Sequence, residues 1–414
     1  MKLSNRLAGA TASAVAPAIV VGLDNITGLQ TARILADRGV PVIGVAADRT
    51  HFGSRTNACD EVIESTLSGH ELILTLRDLG RRLGRTSVLL PCTDGSVALL
   101  SRHRDQLTDL FSLPLAPHDV VELLMDKVKF AQHASAAGLA IPRTEVLASR
   151  DEAELAAKCL EYPCVLKPPV KSSEWQRHTS SKGFPVKDAE EFLTIYDRVA
   201  PWSPQLLAQE WVEGGEDGLF SCNAYFDEHS RPLVTFVARK LRQWPPNVGT
   251  SASGEECRND EVLDETVRLF SSVGFHGLAY LEMKRNARTG RMTIIEPNVG
   301  RPTGRSAIAE AGGVELVYTA YCDAAGLPLP TAREQRYVGT KWLDLRRDAQ
   351  AAAVAHRRGQ LSLSEWGRSL RGPKGHAIWS RRDPLPFAVD LMHSLAEGGR
   401  MLATRAGGRQ GKRR

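Results

Sequence analysis

Apolar residues in this chain come in short runs separated by amphipathic stretches, a pattern of strands alternating with helices. Ala18 to Leu23 is the first such run, closed by Gly22 and Asp24. Leu29, Ala32, Ile34, Leu35 and Ala36 then share one helical face that ends at Gly39, and Pro41 to Ala46 is a second run. Strand, helix and strand within about thirty residues predict a parallel pair, because parallel strands need a crossover of that kind. Val62–Ile63 and Ser87–Leu90 predict further strands, with helices over Glu71–Arg82 and Asp94–Leu107.

Pro114 and Pro117 interrupt this rhythm. Asp119 to Ala137 predicts one helix, closed by Gly138-Leu139-Ala140-Ile141-Pro142, and Tyr162–Lys167 predicts a strand ended by Pro168 and Pro169. From Leu206 to Met292 the pattern is mostly strands, with Gly, Asp and Asn between them. The expected architecture is therefore α/β first and α+β afterwards, with a border near Pro117. It comprises a flexible N-terminus over 1–17, an open parallel α/β domain over 18–117 and a second domain over 118–330. A small C-terminal helical appendage over 331–398, with a helical pattern at Pro386–Leu402, and a basic disordered tail over 399–414 follow. No internal repeat is visible.

Composition refines this picture in three places. The chain has 414 residues, too many for one ordinary core, and no apolar run nears the roughly 18 residues that span a bilayer. Lys2 and Arg6 ahead of Leu7–Val21 imitate a secretory signal, but Thr11 and Ser13 interrupt the stretch and its end merges with the first strand. Seven cysteines (Cys59, Cys92, Cys159, Cys164, Cys222, Cys257, Cys322) are odd in number and scattered, without a CxxC pair. They argue against a disulfide framework or zinc site and for the reducing cytoplasm. The formal charge is +5, yet Arg400, Arg405, Arg409, Lys412, Arg413 and Arg414 lie in the last fifteen positions without an acid. The positive balance belongs to the tail, so nothing in the body points to nucleic acid.

The chemistry concentrates late in the second domain. Leu278–Lys284 and Met292–Val299 are strand-like and joined by the turn-prone Asn286–Gly290, so a hairpin brings Glu282 beside Glu296. Glu296 and Asn298, two apart on a strand, face one side. Two carboxylates and an amide oxygen on one face suit Mg²⁺ with phosphate ligands, and they equally suit a solvated surface hairpin. In Arg239-Lys240-Leu241-Arg242, strand alternation directs Lys240 and Arg242 together, either into a cleft beside a transferring phosphoryl group or to solvent.

The ordered set Asp126–Lys127, Val165-Leu166-Lys167, Gln209-Glu210-Trp211-Val212, Arg239–Lys240, Glu282 and Glu296-Pro297-Asn298 resembles the ATP-grasp family over residues 18 to 325. The nearest resemblance is to carboxylate–amine ligases of the D-aspartate ligase type. It implies a pre-ATP-grasp α/β domain, then a two-lobed ATP-grasp domain hinged near 209–212. It further implies that Lys127 and Lys167 reach the nucleotide phosphates, that Gln209, Glu210, Trp211 and Val212 pair with the adenine edge, and that Glu216 holds the ribose. Glu282, Glu296 and Asn298 are then metal ligands, with ATP and Mg²⁺ as cofactors and Mn²⁺ as a substitute. Plainer readings stand beside these: Lys167 as a strand exit, Trp211 as hinge packing, Glu216–Asp217 as a polar turn.

The chain departs from the family pattern twice. The loop expected to cover the phosphates, Ser172–Gly183, is rich in Ser, Lys and His with one Gly, and offers Lys182 and His178. The family places an Arg two residues after the metal-binding Asn, whereas Asn298 is followed by Val299, Gly300 and Arg301, with Arg305 beyond; either Arg suits a substrate carboxylate. The implied activity is ATP-dependent amide or peptide bond formation through an acyl phosphate. Its partners are a small-molecule carboxylate and an amine, such as an amino acid or peptide. Two rivals are a non-catalytic, regulatory ATP-binding module and a dinucleotide-dependent oxidoreductase. The second is weak, since Gly22-Leu-Asp-Asn-Ile-Thr-Gly28 lacks the GxGxxG spacing.

Overall fold

The computed structural model describes residues 15–170, 172–246 and 249–395. The tail expected over 399–414, the first fourteen residues and the end of the Pro386–Leu402 helix lie outside them.

Strands β1 (Ala18–Val21) and β2 (Val42–Ala46) are buried at every position. Such runs fit a parallel sheet covered on both faces. Helix α1 (Ile26–Ala36) connects them, followed by β3 (Glu61–Glu64), α2 (Gly69–Leu83), β4 (Ser87–Pro91), α3 (Asp94–Arg102) and β5 (Phe111–Ser112). The strands pair in parallel in the order β3-β2-β1-β4-β5. Period-two alternation sends Ala18 and Val20 towards α1 and Ile19 and Val21 towards α2 and α3. Gly28 has a steric reason: a Cβ there would lie 2.1 Å from the Gly22 carbonyl oxygen, so α1 packs on the end of β1 only without one.

The single helix expected over Asp119–Ala137 is two, α4 (His118–Met125) and α5 (Lys127–Ala136). Asp126 leaves the helical region (ψ 117°) and its carboxylate accepts from the Val128 and Lys129 N–H groups. An Asp cap thus breaks what apolar periodicity alone reads as continuous.

A small lobe follows: β6 (Thr144–Leu147), α6 (Arg150–Cys159), β7 (Cys164–Lys167), α7 (Ser173–His178), β8 (Phe184–Val186), α8 (Ala189–Val199) and β9 (Leu206–Glu210). Its sheet runs β6-β9-β7-β8, with α6 and α8 packed together over it. The large lobe holds β10 (Leu219–Phe226), β11 (Pro232–Trp244), β12 (Thr250–Glu256), α9 (Asp260–Ser272), β13 (Gly277–Arg285) and β14 (Met292–Val299). Helix α9, capped by Asn259, interrupts the stretch that reads mostly as strands.

Beyond α10 (Ile308–Ala311) and α11 (Leu316–Ala324), the C-terminal part is not purely helical. It supplies β15 (Lys341–Leu343), α12 (Leu345–Arg357), α13 (Leu363–Ser369), β16 (Lys374–His376) and a helix over 385–395. Both strands extend the large sheet, whose order is β14-β13-β10-β11-β12-β15-β16. Among the described residues no helix is long and apolar enough to cross a membrane.

Candidate active site

A cleft of about 770 Å³ opens between the parallel domain, the small lobe and the large sheet. The parallel domain contributes Asp24–Thr27 after β1 and Cys92–Asp94 after β4. These are the carboxyl ends of the two strands between which the strand order reverses, where open α/β sheets form binding crevices.

On the large sheet, β13 and β14 pair so that Glu282 stands opposite Glu296 and Tyr280 opposite Asn298. Asn286 closes the turn, accepting from the Arg288 and Thr289 N–H groups, and a one-residue register shift at Ile295 then brings Glu296, rather than Ile295, opposite Glu282. Glu282 is largely shielded, its side chain 12% exposed, and densely held. Lys240 Nζ lies 3.0 Å from its carboxylate, the Tyr280 hydroxyl donates to it at 3.0 Å, and Arg305 Nη2 lies 3.7 Å away. Burial pushes this carboxyl up, but Lys240 and Arg305 outweigh burial and hold it below the ordinary carboxylate range. Glu296 is exposed on the cleft wall, and Asn298 Oδ1 accepts from Arg301 Nη2 at 3.2 Å.

Across the cleft, Lys167 Nζ donates to Gln209 Oε1 at 2.6 Å, and Gln209 Nε2 donates to Thr144. Burial, and then the neighbouring charge of Lys127, lower the Lys167 ammonium to about 8 against the pull of Glu296. Lys127 itself lines a smaller adjoining cavity with Lys167, Gln209 and Glu296. Along 209–212, the Glu210 and Trp211 N–H groups already donate to Arg143 and Pro163, and the Val212 carbonyl accepts from Lys284 at 2.7 Å. Trp211 forms an exposed wall with the Lys284 ammonium 5.5 Å from its ring centroid.

Three expectations change. Arg242 does not accompany Lys240 into the cleft: a bulge at Leu241 shifts the β11–β12 register and turns Arg242 onto Asp348 of α12, at 2.6 and 3.1 Å. Glu216 does not line the cleft; its carboxylate accepts from the Gln243 N–H at 2.9 Å. The Ser172–Gly183 segment is no bare loop, since it contains α7 and buries Trp175, whose Nε1 donates to the Ser181 carbonyl. His178 stacks on Trp202 at 4.7 Å and pairs with Glu174, while Lys182 does reach the cleft.

Arg301 and Arg305 have different settings. Arg301 is tied to Asp94 at 2.6 Å, whereas Arg305 is buried beneath Glu282 with no partner for its Nη1 among the described residues. Two further cleft-lining residues carry buried atoms with no partner among the described residues, Asp24 Oδ1 and Trp342 Nε1. Thr93, Asp94, Tyr280, Lys284, Arg346 and Arg347 also line the cleft, and no sequence motif singles them out. The turns after β1 and β4 were recognisable as crevice positions from strand order alone. The residues after β15 carried no such signal.

Among the described residues no three His, Cys, Asp or Glu side chains cluster as a metal site. The protein's own donors are two carboxylates and an amide oxygen. That set fits Mg²⁺, which takes one or two carboxylates and completes its shell with phosphates and water. The unpartnered Arg305 Nη1 beside them fits an oxyanion such as a nucleotide phosphate.

No family model matches the chain. In sequence it is 26% identical over 232 residues to the D-aspartate ligase of Enterococcus faecium (strain Aus0004), covering 53% of this chain and 54% of that one. It is also 26% identical over 190 residues to a D-alanine–D-alanine ligase of Stutzerimonas stutzeri (strain A1501), covering 42% and 55%. The chain thus spans about half the length of the curated relatives it matches. In structure it superposes on the biotin carboxylase domain of the Hydrogenobacter thermophilus 2-oxoglutarate carboxylase, solved with MgADP and bicarbonate. The TM-score is 0.62 at 15% identity, over 78% of this chain and 73% of that one. N5-carboxyaminoimidazole synthetase from Staphylococcus aureus gives a TM-score of 0.61 at 14% identity, over 77% and 80%. The chain has the ATP-grasp fold, and in sequence it resembles carboxylate–amine ligases of the D-aspartate ligase type.

Proposed function

We propose that this protein is an ATP-dependent carboxylate–amine ligase that forms an amide or peptide bond and releases ADP and phosphate. The observation that carries the reading is the Glu282–Glu296 register with Asn298 beside it. These oxygens sit in one cleft with Lys167, Lys182, Lys240 and Arg305. That is a hard-oxygen cation site surrounded by ammonium and guanidinium groups, which suits a metal-bound triphosphate and little else of similar size. A cytoplasmic setting belongs to the same reading and is supported by seven free cysteines, of which Cys92, Cys164, Cys222 and Cys322 are buried.

On this reading Glu282, Glu296 and Asn298 would hold Mg²⁺, which would supply positive charge to neutralise the phosphates. Lys167 and Lys182 hold the phosphates from the small lobe, and Lys240 and Arg305 meet charge developing on the γ-phosphoryl group. A carboxylate oxygen of the substrate attacks the γ-phosphorus and ADP leaves; the amine nitrogen then attacks the acyl carbon and phosphate leaves. The chain's contribution is positioning and preorganised charge. Arg242 and Glu216, held by Asp348 and Gln243, fall outside this set, and Arg301 joins the cleft wall to Asp94.

Phosphate and ADP release across panels of amino acids and carboxylates tests the reading. We expect release above the ATP-only rate that requires a carboxylate and an amine together. Nucleotide binding with no stimulated release by any pair would instead leave a non-catalytic ATP-binding module.

The Lys167 ammonium gives a pH signature. At pH 7 it is charged; near pH 9, about one unit above its value of about 8, it is mostly neutral and must regain its proton to meet a phosphate. The dissociation constant of a non-hydrolysable ATP analogue should therefore rise on the order of fivefold to tenfold from pH 7 to pH 9. Lys167→Arg, which stays charged, should flatten that rise; a flat wild-type profile counts against Lys167 as a phosphate contact.

A further inference from the structure

The helix over 385–395 has two unlike faces. Pro386, Val389 and Asp390 are buried; Asp390 lines the cleft and holds Arg346 at 3.2 and 3.3 Å. Just before the helix, Asp383 ties the segment to the parallel domain through Arg33 at 2.9 Å and the Asn57 N–H at 3.1 Å. The helix is thus docked on the body from one side. On the other, Leu385, Leu391, Met392 and Leu395 are between 44 and 68% exposed. With about 100° per residue, they and the exposed Ala388 fall within about one third of the helix circumference. Trp379, also exposed, borders this stripe with its ring edge-on to Phe387 at 5.4 Å, one turn before Leu391. Single exposed apolar side chains are ordinary, whereas a contiguous stripe of large ones marks an interaction surface.

Charge narrows what covers it. From 380 to 414 there are eight Lys and Arg against three acids. Two of those acids, Asp383 and Asp390, are buried and neutralised by Arg33 and Arg346. Arg381 and Arg382 are exposed, and the other six cations fall within 400–414, directly after the helix. An apolar helix face beside a basic stretch matches the surface of an anionic bilayer. Leu and Met enter the boundary between headgroups and acyl chains, while Lys and Arg stay with the lipid phosphates. A second copy of this chain fits poorly, because it brings the same positive charge to the same face. The chain's own 396–414 segment also fits poorly, since Met401 and Leu402 are its only large apolar residues. Nucleic acid would use the cations and leave the leucines without a role.

We infer that the 385–395 helix and the basic stretch after it form a docking surface for anionic membrane, on which the protein lies without spanning it. Asp390 and the Leu391–Leu395 stripe are on opposite sides of one helix. The docked membrane therefore lies about one helix diameter, roughly 10 Å, from the cleft wall. Membrane docking is independent of the chemistry in the cleft.

Flotation of the full chain with phosphatidylcholine vesicles, and with vesicles that also contain phosphatidylglycerol, supplies the test. Wild type should bind the anionic vesicles at least about tenfold tighter, and raising NaCl from about 0.1 to about 0.5 M should weaken that binding severalfold. The double substitution Leu391→Gln, Leu395→Gln removes apolar contact and disturbs no buried group. It should weaken binding to anionic vesicles at least about tenfold with the melting temperature unchanged. Gln in place of the six cations of 400–414 should remove most of the preference for phosphatidylglycerol. If the double variant melts lower, Met392→Gln and Leu395→Gln taken singly decide: a loss of about threefold or more in each supports docking, and no loss in either overturns it. No binding of wild type to anionic vesicles overturns the inference. So does binding that the leucine substitutions leave unchanged, which reduces the surface to a polycation that would hold duplex DNA equally well. Self-association in sedimentation equilibrium that the same substitutions abolish, without vesicle binding, makes a second copy the occupant and overturns it too.

Discussion

Replacing Glu296 with alanine should lower ADP release at saturating carboxylate and amine by on the order of a thousandfold or more. A Lewis-acid cation contributes several kcal/mol to a phosphoryl transfer, and if Glu296 is one of its two carboxylate ligands, as proposed, removing it forfeits most of the cation's hold. The fold should be indifferent to the change. Glu296 is exposed, and among the described residues no hydrogen bond or ion pair of its side chain is seen, so the melting temperature should move by no more than about 2 °C. Glu296→Gln, which keeps an oxygen and loses the charge, should fall between wild type and alanine and recover partly as Mg²⁺ is raised. Full activity in Glu296→Ala removes the metal assignment. Inactivity accompanied by a large drop in melting temperature would make the residue structural.

Asp348→Ala should be among the most destabilising single substitutions in the protein. Its carboxylate is 1% exposed and receives both forks of Arg242, the Ser253 hydroxyl and the Trp366 indole. Deleting it strands a buried guanidinium, a change that costs about 3–5 kcal/mol. Urea denaturation should show that loss, and Asp348→Asn should lose less. The double substitution Arg242→Met, Asp348→Leu should recover much of the stability, because apolar groups of similar volume replace a buried pair at little net cost. A loss below about 1 kcal/mol in the alanine variant would mean that the pair is solvated and that α12 is not held by it.

The two cases show how far residues alone reveal such a site. The Glu282–Glu296 hairpin was legible because it is local, an Asn-to-Gly turn between two strand-like runs, but the exact pairing also needs a one-residue shift at Ile295 that spacing does not reveal. The opening β–α–β unit was legible for a similar reason, its apolar runs and periodic helix lying within thirty residues. Arg242 was misjudged because strict alternation assumes an unbroken ladder, and one extra residue at Leu241 reverses the side chain. The Asp126 break was written in the sequence as an N-cap residue, but the apolar face continued through it. The Asp94–Arg301 contact joins residues 207 positions apart, and no periodicity reports a pairing of that range. The cleft residues after β15 were invisible for the same reason, since the strands that carry them there were read as helix.

The large sheet runs without interruption from β14, which bears Glu296, to β15, which bears Trp342. Its interstrand spacing is set by backbone hydrogen bonds and hardly stretches, so the two ends of the cleft behave as marks on a ruler. A molecule that contacts both Glu296 and Trp342 must therefore span a distance that the backbone of the sheet fixes.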